Sequence, residues 1–188
     1  MAAPGDYLKN EKWVTRINAL FTQLDTNKNG YLSRDDWLLS VDNLAKVVTN
    51  RPAEIAKLRE VVIEYTEALG VTEGVKADKQ KFLELLSVAV ADDIAKFKIG
   101  EKTLTERFAG AYFDVVDQNH DGCINWDEYK IVMEASGFPE ESARGTFELL
   151  DKNKNGKIER KELIAADIKF WCDLEEKETD ELFGKTFF

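Results

Sequence analysis

The sequence predicts an all-α fold of four helix–loop–helix units in two pairs, compact, with the second of the four loops degenerate. Apolar residues recur every three or four positions along most of the chain, which is the spacing of helices with one buried face. A six-residue pattern that ends in glycine also occurs three times. The 188 residues are 44% hydrophobic, which is enough to form a core in one compact domain or in two small lobes.

The chain is acidic, with 36 Asp and Glu residues against 26 Lys and Arg residues and a formal net charge of −10. Nucleic acids and anionic bilayers are bound through Lys and Arg. We therefore expect no nucleic-acid partner, although acidity can also serve solubility alone. The two cysteines do not form a CxxC pair, which indicates reduced thiols. There is no signal-peptide pattern and no run near the roughly 20 apolar residues of a membrane span, so we expect a cytoplasmic protein. We also expect a monomer.

Helical patterns follow one another along the chain, with start and stop signals between them. Thr103 and Glu106 have the spacing of a capping box at the start of a helix. Gly137 followed by Pro139 predicts that one helix ends there and the next begins. The clearest apolar stripes run over residues 13–24, 82–90 and 104–116.

The six-residue pattern divides the chain into two halves. Its second and third copies start 34 residues apart, which leaves room for a loop, two helices and a short linker, whereas the first and second start 92 residues apart. A degenerate copy is therefore expected between the first and the second. Gly100 interrupts the helical pattern near residues 96–101, which predicts an N-terminal pair in residues 1–98 and a C-terminal pair with a tail in residues 99–188. The three copies begin at Asp25, Asp117 and Asp151.

Each copy opens a twelve-residue loop suited to calcium, which takes about six to eight oxygen ligands. Positions 1, 3, 5 and 12 carry oxygen-bearing side chains, position 6 is a glycine that permits a sharp turn, position 7 offers its carbonyl, and position 8 is apolar. This is the EF-hand pattern. A single hexapeptide of this kind could be a solvated turn, but three with flanking helices predict three calcium sites. The expected ligands are Asp25, Asn27, Asn29, Tyr31 and Asp36 in loop 25–36; Asp117, Asn119, Asp121, Cys123 and Glu128 in loop 117–128; and Asp151, Asn153, Asn155, Lys157 and Glu162 in loop 151–162.

The first loop differs at its closing position, where Asp36 replaces the usual glutamate. Aspartate is one methylene shorter and reaches an ion less easily with both oxygens. Fewer ligands suit the octahedral shell of magnesium better than the larger shell of calcium. We expect this loop to be the weakest calcium site and the one most tolerant of magnesium.

The degenerate second loop is placed by an apolar residue at its position 8. Taking Val75 as that residue gives loop 68–79, which opens with Ala68 and closes with Lys79. It has no carboxylate at its key positions and a cation where the closing acid should be. It is either an EF-hand remnant kept for packing or an ordinary helix–loop–helix, and neither binds metal.

These residues resemble the sarcoplasmic calcium-binding protein family of invertebrates, whose superfamily also contains calexcitin, the aequorin-type photoproteins and the coelenterazine-binding (luciferin-binding) proteins. The resemblance runs from Trp13 to the Phe-rich tail, and rests on four EF-hands with the second inactive, an aspartate closing the first loop and an aromatic C-terminus. It implies two EF-hand pairs packed together. Buffer members bind calcium and magnesium, and photoprotein members enclose coelenterazine with histidine, tryptophan and tyrosine groups.

The photoprotein histidines are missing from this chain. Photoproteins have a histidine shortly before the C-terminal tryptophan. The resemblance places Asp167 at that histidine, ahead of Trp171, and their first-helix histidine falls near Ile17. Phe183 stands where they have a tyrosine, and the one histidine, His120, is at a loop position that normally faces water. The resemblance therefore argues against light emission, but binding coelenterazine without oxidising it does not require these histidines.

Two functions remain open, and the sequence alone favours a cytosolic calcium buffer or modulator of calcium signals. The alternative is a calcium-regulated carrier of a small apolar ligand. A calmodulin-like sensor is disfavoured because the chain has only two methionines, and no protein target is indicated. No catalytic motif is present, so we expect no enzymatic activity and assign no catalytic residue. The carrier would bind its ligand in a cavity whose candidate residues, which could equally fill a core, are Phe108, Tyr112, Trp126, Phe170, Trp171 and Phe183.

Overall fold

The computed structural model describes residues 2–25 and 27–175, and within them the all-α EF-hand prediction is confirmed. The helices are α1 Pro4–Lys9, α2 Glu11–Leu24, α3 Arg34–Val47, α4 Pro52–Ala68, α5 Lys79–Lys98, α6 Leu104–Val116, α7 Trp126–Ala135, α8 Glu140–Leu150 and α9 Arg160–Cys172. The strands are β1 Tyr31–Ser33, β2 Lys76–Asp78, β3 Cys123–Ile124 and β4 Ile158–Glu159. In these residues no helix is long and apolar enough to cross a membrane.

Local side-chain hydrogen bonds define where the helices begin. The predicted capping box at α6 is present, with the Thr103 hydroxyl accepting from the Glu106 N–H at 3.0 Å and the Glu106 carboxylate accepting from the Thr103 N–H at 2.8 Å. The helices that leave the three calcium loops begin in the same way, because the closing acid of each loop accepts a hydrogen bond from the main chain three residues before it. One carboxylate in each loop thus serves both the helix start and the predicted metal site.

Short antiparallel strands join the loops in pairs, β1 with β2 and β3 with β4. In the second pair Ile124 lies opposite Ile158, and both occupy position 8 of their loops. In the first pair Leu32 lies opposite Ala77, not Val75. The placement of loop 68–79 is therefore wrong by two residues.

The corrected second loop runs from Gly70 to Lys81. Ala77 is fully buried against the pair, whereas Val75 is 39% exposed. Alanine carries too little apolar surface to be distinguished from a loop residue by sequence, which is why the larger valine was selected. The conclusion about metal is unchanged, because the corrected segment places Gly70, Thr72 and Gly74 at positions 1, 3 and 5 and closes with a lysine.

The two halves share one continuous hydrophobic core. Helix α4 packs on α6, and α6 packs on α9. The ring of Tyr65 on α4 lies 6.4 Å from that of Trp171 on α9. Gly100, with a positive φ of 75°, lies in the turn between α5 and α6, so the predicted junction separates the halves in sequence while their side chains remain packed together.

Side chains of the first sixteen residues hold the end of α9, in an arrangement we call the N-terminal clamp. Four donors reach four successive main-chain carbonyls there, two in the last turn of α9, where a helix leaves carbonyls without intrahelical partners, and two just beyond it. The clamp consists of Tyr7 Oη to Cys172 O at 3.2 Å, Asn10 Nδ2 to Leu174 O at 2.9 Å, Trp13 Nε1 to Trp171 O at 2.8 Å and Arg16 Nη2 to Asp173 O at 2.6 Å.

Candidate functional site: calcium loops and an aromatic core

The three predicted calcium loops share one backbone conformation. In each loop the residues at positions 4 and 6 have positive φ, a region that glycine enters freely and other residues rarely adopt. The position-4 residue is exposed in every case, so the sole histidine points away from the predicted ligands. The angles are 55° and 80° at Lys28 and Gly30, 60° and 82° at His120 and Gly122, and 58° and 82° at Lys154 and Gly156.

The third loop turns its predicted ligands inward through hydrogen bonds with its own amides. Asp117 Oδ2 accepts from the Gly122 N–H at 3.1 Å, and Asn119 Oδ1 accepts from the Asp121 N–H at 2.8 Å. Glu128 is buried, with Oε2 accepting from the Asn125 N–H at 3.0 Å. Asp117 Oδ1 is buried and has no hydrogen-bond partner in the described part of the chain. A buried carboxylate oxygen without a partner is costly, and a cation satisfies it, so these residues fit calcium.

The fourth loop repeats this arrangement and adds one orienting group. Asp151 accepts from the Asn155 N–H at 3.0 Å through Oδ1 and from the Gly156 N–H at 2.8 Å through Oδ2. The Glu159 carboxylate accepts from the amide groups of Asn153 and Asn155 at 3.1 and 3.2 Å. Because an amide that donates through its nitrogen turns its oxygen away from that acceptor, Glu159 orients the oxygens of both asparagines.

The first loop is closed by an aspartate whose two oxygens both accept hydrogen bonds. Asp36 Oδ2 accepts from the Ser33 N–H at 2.8 Å and from the Ser33 hydroxyl at 2.7 Å. Asp36 Oδ1 accepts from Asn27 Nδ2 at 3.0 Å. Both oxygens are thus engaged within the loop, as are those of Glu128 and Glu162 in their own loops, so the shorter side chain of Asp36 is what sets this loop apart.

The predicted ligands of each loop combine carboxylate, amide and main-chain oxygens. Within residues 2–25 and 27–175, no three His, Cys, Asp or Glu side chains converge to form a metal cluster by themselves. Amide and main-chain oxygens must contribute, as is usual for calcium, a hard cation that takes oxygen from any of these groups.

An ion pair connects the third and fourth loops. Lys157 Nζ lies 2.9 Å from Asp121 Oδ2 and lowers the pKa of that carboxyl through the hydrogen bond between them. Lys157 is at position 7 of the fourth loop, where the predicted ligand is its carbonyl, so its side chain is free to contact the neighbouring loop. The ammonium group competes with an ion for one predicted ligand of the third loop.

We expect Lys157→Ala to raise the calcium affinity of the third loop about two- to fivefold, the size typical of an exposed charge pair. The effect should disappear in high salt, because exposed charges are screened. Calcium titration calorimetry at low and high ionic strength measures it. Lys157→Arg keeps the charge and should behave like the unchanged protein, and an equal gain in both variants would contradict the competition.

Aromatic side chains from four helices meet around Tyr65. Its ring lies 5.4 Å from Trp37 on α3, 5.8 Å from Phe108 on α6 and 6.4 Å from Trp171 on α9. Burial raises the pKa of Tyr65 well above its ordinary value. We call these four residues the Tyr65 cluster.

The structure brings most of the predicted cavity residues to this region. Phe108 and Trp171 belong to the Tyr65 cluster, and Phe170 lies 5.0 Å from Trp171. Trp126 contacts Phe147, in a neighbouring group that includes Tyr129. Tyr112 is close enough to Tyr129 to influence its pKa, and Phe183 lies outside the described residues. Sequence reasoning missed Trp37 and Tyr65, and the available signal was a large aromatic on the buried face of each helix.

A carboxyl group lies beside the Tyr65 cluster. Asp167 Oδ1 accepts a hydrogen bond from Trp171 Nε1 at 3.0 Å, while Asp167 Oδ2 is buried and has no partner in the described residues. Burial raises the pKa of Asp167 to about 7, against the lowering effect of the Trp171 hydrogen bond. The Nε1 atom of Trp37 is likewise buried without a partner there.

Two cavities next to these groups are small. One, of about 10 Å³, is lined by Tyr65, Asp93 and Leu104 among others. Another, of about 30 Å³, is lined by apolar surface that includes Ile168 and Cys172. Both are far smaller than the roughly 300 Å³ of a small-molecule pocket, so a larger ligand requires side chains of the core to move apart.

Comparison with protein families decides the assignment of the loops. The description "EF-hand domain pair" matches residues 14–134, and "EF hand" matches residues 144–165. The chain belongs to the EF-hand family. As an EF-hand protein it binds calcium. The first match spans loops 25–36 and 117–128 and the segment between them, and the second spans loop 151–162.

The relatives of this EF-hand protein include photoproteins. Obelin from Obelia geniculata is 29% identical over 93% of this chain and 91% of its own length. The luciferin-binding protein of Renilla reniformis is 28% identical over 87% of this chain and 88% of its own. A sarcoplasmic calcium-binding protein from Perinereis vancaurica tetradentata is 25% identical over only 68% of this chain and 71% of its own. The resemblance is thus stronger to photoproteins and luciferin-binding protein than to the buffer family expected from sequence.

Solved structures of photoproteins are also similar to this chain in fold. The crystal structure of n-aequorin superimposes with a TM-score of 0.85 at 25% identity, covering 95% of this chain and 94% of that one. Magnesium-loaded apo-berovin, a ctenophore photoprotein, superimposes with a TM-score of 0.75 at 29% identity, covering 83% of this chain and 86% of that one.

Proposed function

We propose that this EF-hand protein is a calcium-regulated carrier of a coelenterazine-type ligand, which it binds at the Tyr65 cluster without chemical change. The observation that carries the proposal is a pair of buried polar atoms without partners in the described residues, Trp37 Nε1 and Asp167 Oδ2, placed among aromatic rings. A core meant only for packing seldom keeps such atoms, since each one costs free energy. The similarity to luciferin-binding protein supports the same proposal.

The calcium loops and the aromatic core are carried by the same helices. Trp37 follows the closing acid of the first loop, and Trp126 lies inside the third loop two residues before Glu128. Phe108 lies on the helix that enters the third loop, and Trp171 lies on the helix that leaves the fourth. An ion that repositions any of these helices also repositions a ring at the ligand site, which provides a route for calcium to change ligand affinity.

The metal part of the proposal is three calcium ions, one in each loop with a closing acid. The first loop is also proposed to take magnesium, since Asp36 is one methylene shorter than the glutamates that close the other two loops and reaches an ion less easily with both oxygens. Magnesium-loaded apo-berovin, a relative of similar fold in which all three calcium-binding loops bind magnesium, supports magnesium binding by loops of this kind without singling out the first. The acidic charge of −10 favours a monomer without a nucleic-acid partner, and the absence of a CxxC pair favours reduced thiols and hence the cytoplasm.

The test is to titrate coelenterazine into the calcium-free protein and follow tryptophan fluorescence. We expect quenching at micromolar ligand and at least tenfold weaker binding in millimolar calcium. Phe108→Ala, which removes a ring of the Tyr65 cluster, should weaken binding, whereas Val88→Ala, at a position that is 58% exposed, should not. Absence of quenching at micromolar ligand would overturn the carrier function, and equal affinity with and without calcium would overturn its regulation.

A calcium buffer is the second candidate function. The observation that favours it is the small size of the cavities near the Tyr65 cluster, about 10 and 30 Å³, against roughly 300 Å³ or more for a ligand pocket. A buffer should bind its ions with the core closed. Failure of the coelenterazine titration combined with stoichiometric calcium binding would therefore favour the buffer.

A further inference from the structure

We propose that Asp167 is the recognition group of this site, where its unpartnered oxygen accepts a hydrogen bond from an N–H or phenolic O–H group of a flat aromatic ligand, so that ligand capture is linked to a proton. The inference rests on the proposed function and specifies the chemistry of that site. It concerns a residue of this chain that stands where the photoprotein resemblance expects a histidine.

The carboxyl group of Asp167 is held in one orientation, which allows it to select ligands that carry a matching donor. Asp167 lies in the middle of α9, and Trp171, one turn later, donates to Oδ1 at 3.0 Å. This bond fixes the carboxyl plane and leaves Oδ2 buried without a partner in the described residues. A fixed acceptor in a low-dielectric site gives a strong hydrogen bond to a matching donor and rejects ligands that lack one.

A complementary donor belongs to the same cluster. Trp37 is 95% buried, its Nε1–H has no partner in the described residues, and its ring contacts Tyr65. Tyr65 in turn contacts Trp171, which holds Asp167. A ligand between these groups therefore needs a donor for Asp167, an acceptor for Trp37 and flat aromatic faces for the rings around them.

The charged and titratable groups that face Asp167 leave its pKa near 7. Asp93 of α5 adds a negative charge that raises the pKa of Asp167, after burial as the larger cause. Asp93 itself is occupied at the start of α6, where Oδ1 accepts from the Leu104 N–H at 3.1 Å and Oδ2 from the Thr105 N–H at 2.9 Å. Tyr65 of α4 and Cys172 of α9 have pKa values raised by burial, with that of Cys172 at about 12, so both face Asp167 uncharged at neutral pH.

The direction in which ligand affinity changes with pH follows from the pKa of Asp167. The proposed bond needs the ionised carboxylate as acceptor, and the pKa of Asp167 in the ligand-free protein is about 7. Above that pH the acceptor is already present and affinity is constant. Below it, the carboxyl group must lose a proton before the ligand binds, so the dissociation constant should rise by about tenfold for each pH unit.

The experiment measures coelenterazine affinity in the calcium-free protein from pH 5.5 to pH 8.5 by tryptophan quenching, with Asp167→Asn as the variant. For the unchanged protein we expect a dissociation constant that is constant above about pH 7 and rises about tenfold for each pH unit below it. The substituted amide is uncharged throughout this range, so Asp167→Asn should bind at least tenfold more weakly at pH 8 and show a flat profile. Asp92→Asn, at an exposed acid on α5, should match the unchanged protein. Without ligand, tryptophan fluorescence should titrate near pH 7 in the unchanged protein but not in Asp167→Asn, because Trp171 donates to this carboxyl group.

The outcomes separate the two proposals. Ligand binding that is equally tight and equally flat with pH in the unchanged protein and in Asp167→Asn overturns the role of Asp167 and leaves the carrier function standing. Absence of binding at every pH overturns both. A loss of affinity and of pH dependence that is confined to Asp167→Asn supports the assignment.

Discussion

Replacement of Glu128 by glutamine is expected to remove one calcium ion from the number the protein binds, from three to two, while the fold is retained. Glu128 closes the third loop, and an ionised glutamate at this position supplies two oxygens to the ion. Its Oε1 accepts hydrogen bonds from the N–H groups of Gln118 and Asn119, and its Oε2 accepts from that of Asn125. Glutamine retains one oxygen and replaces the other with a donor, so the charge and one set of these bonds are lost together.

The expected loss of affinity at this loop is about 100-fold or more, above the range for groups that only support a metal ligand. Titration calorimetry on protein stripped with a chelator measures both affinity and stoichiometry. Glu148→Gln is the matched control, because Glu148 is exposed on α8. Circular dichroism should be unchanged for both variants. An unchanged stoichiometry for Glu128→Gln would refute the assignment of Glu128 as a ligand.

The calcium loops were predictable because their information is local. Each holds its ligands, its turn and its apolar residue within twelve positions, and neighbouring N–H groups orient the carboxylates. The second loop was misplaced because its buried position-8 residue, Ala77, has no signal of its own and is defined only by pairing with Leu32. The register of a strand depends on its partner, and that partner lies 45 residues earlier in the chain.

The Tyr65 cluster was only partly predictable, for a related reason. Phe108 and Trp171 could be proposed from aromatic spacing, but their meeting point, Tyr65, lies on a helix beside the inactive loop, where no motif draws attention. The N-terminal clamp was not predicted at all, since its bonds join residues more than 150 positions apart. The special role proposed for Asp167 depends on burial and on one unpartnered atom, which are properties of the folded chain alone.

Two buried tryptophans provide a matched test of what their indole N–H groups do. Trp13 Nε1 donates to the Trp171 carbonyl at 2.8 Å as part of the N-terminal clamp, whereas Trp37 Nε1 has no partner in the described residues. Replacement by phenylalanine removes the same atoms at both positions, so the variants differ in the hydrogen bond that is lost and in how each site relaxes around the smaller ring. We expect Trp13→Phe to lower the free energy of unfolding by about 1–3 kcal/mol more than Trp37→Phe, because it leaves the Trp171 carbonyl buried without its donor.

Urea denaturation of the calcium-free protein measures this difference, which corresponds to about 2–4 °C in melting temperature per kcal/mol for a chain of this size. Equal destabilisation by the two substitutions would contradict the argument. The same pair also separates stability from function. If the unpartnered Trp37 N–H is kept for a ligand, Trp37→Phe should weaken coelenterazine binding despite its smaller cost in stability, whereas Trp13→Phe should leave binding intact at temperatures where it is folded. If the core served only for packing, the less destabilised variant, Trp37→Phe, would have no reason to bind ligand more weakly than Trp13→Phe. Weaker binding by Trp37→Phe would therefore favour a ligand site at the Tyr65 cluster over a simple calcium buffer.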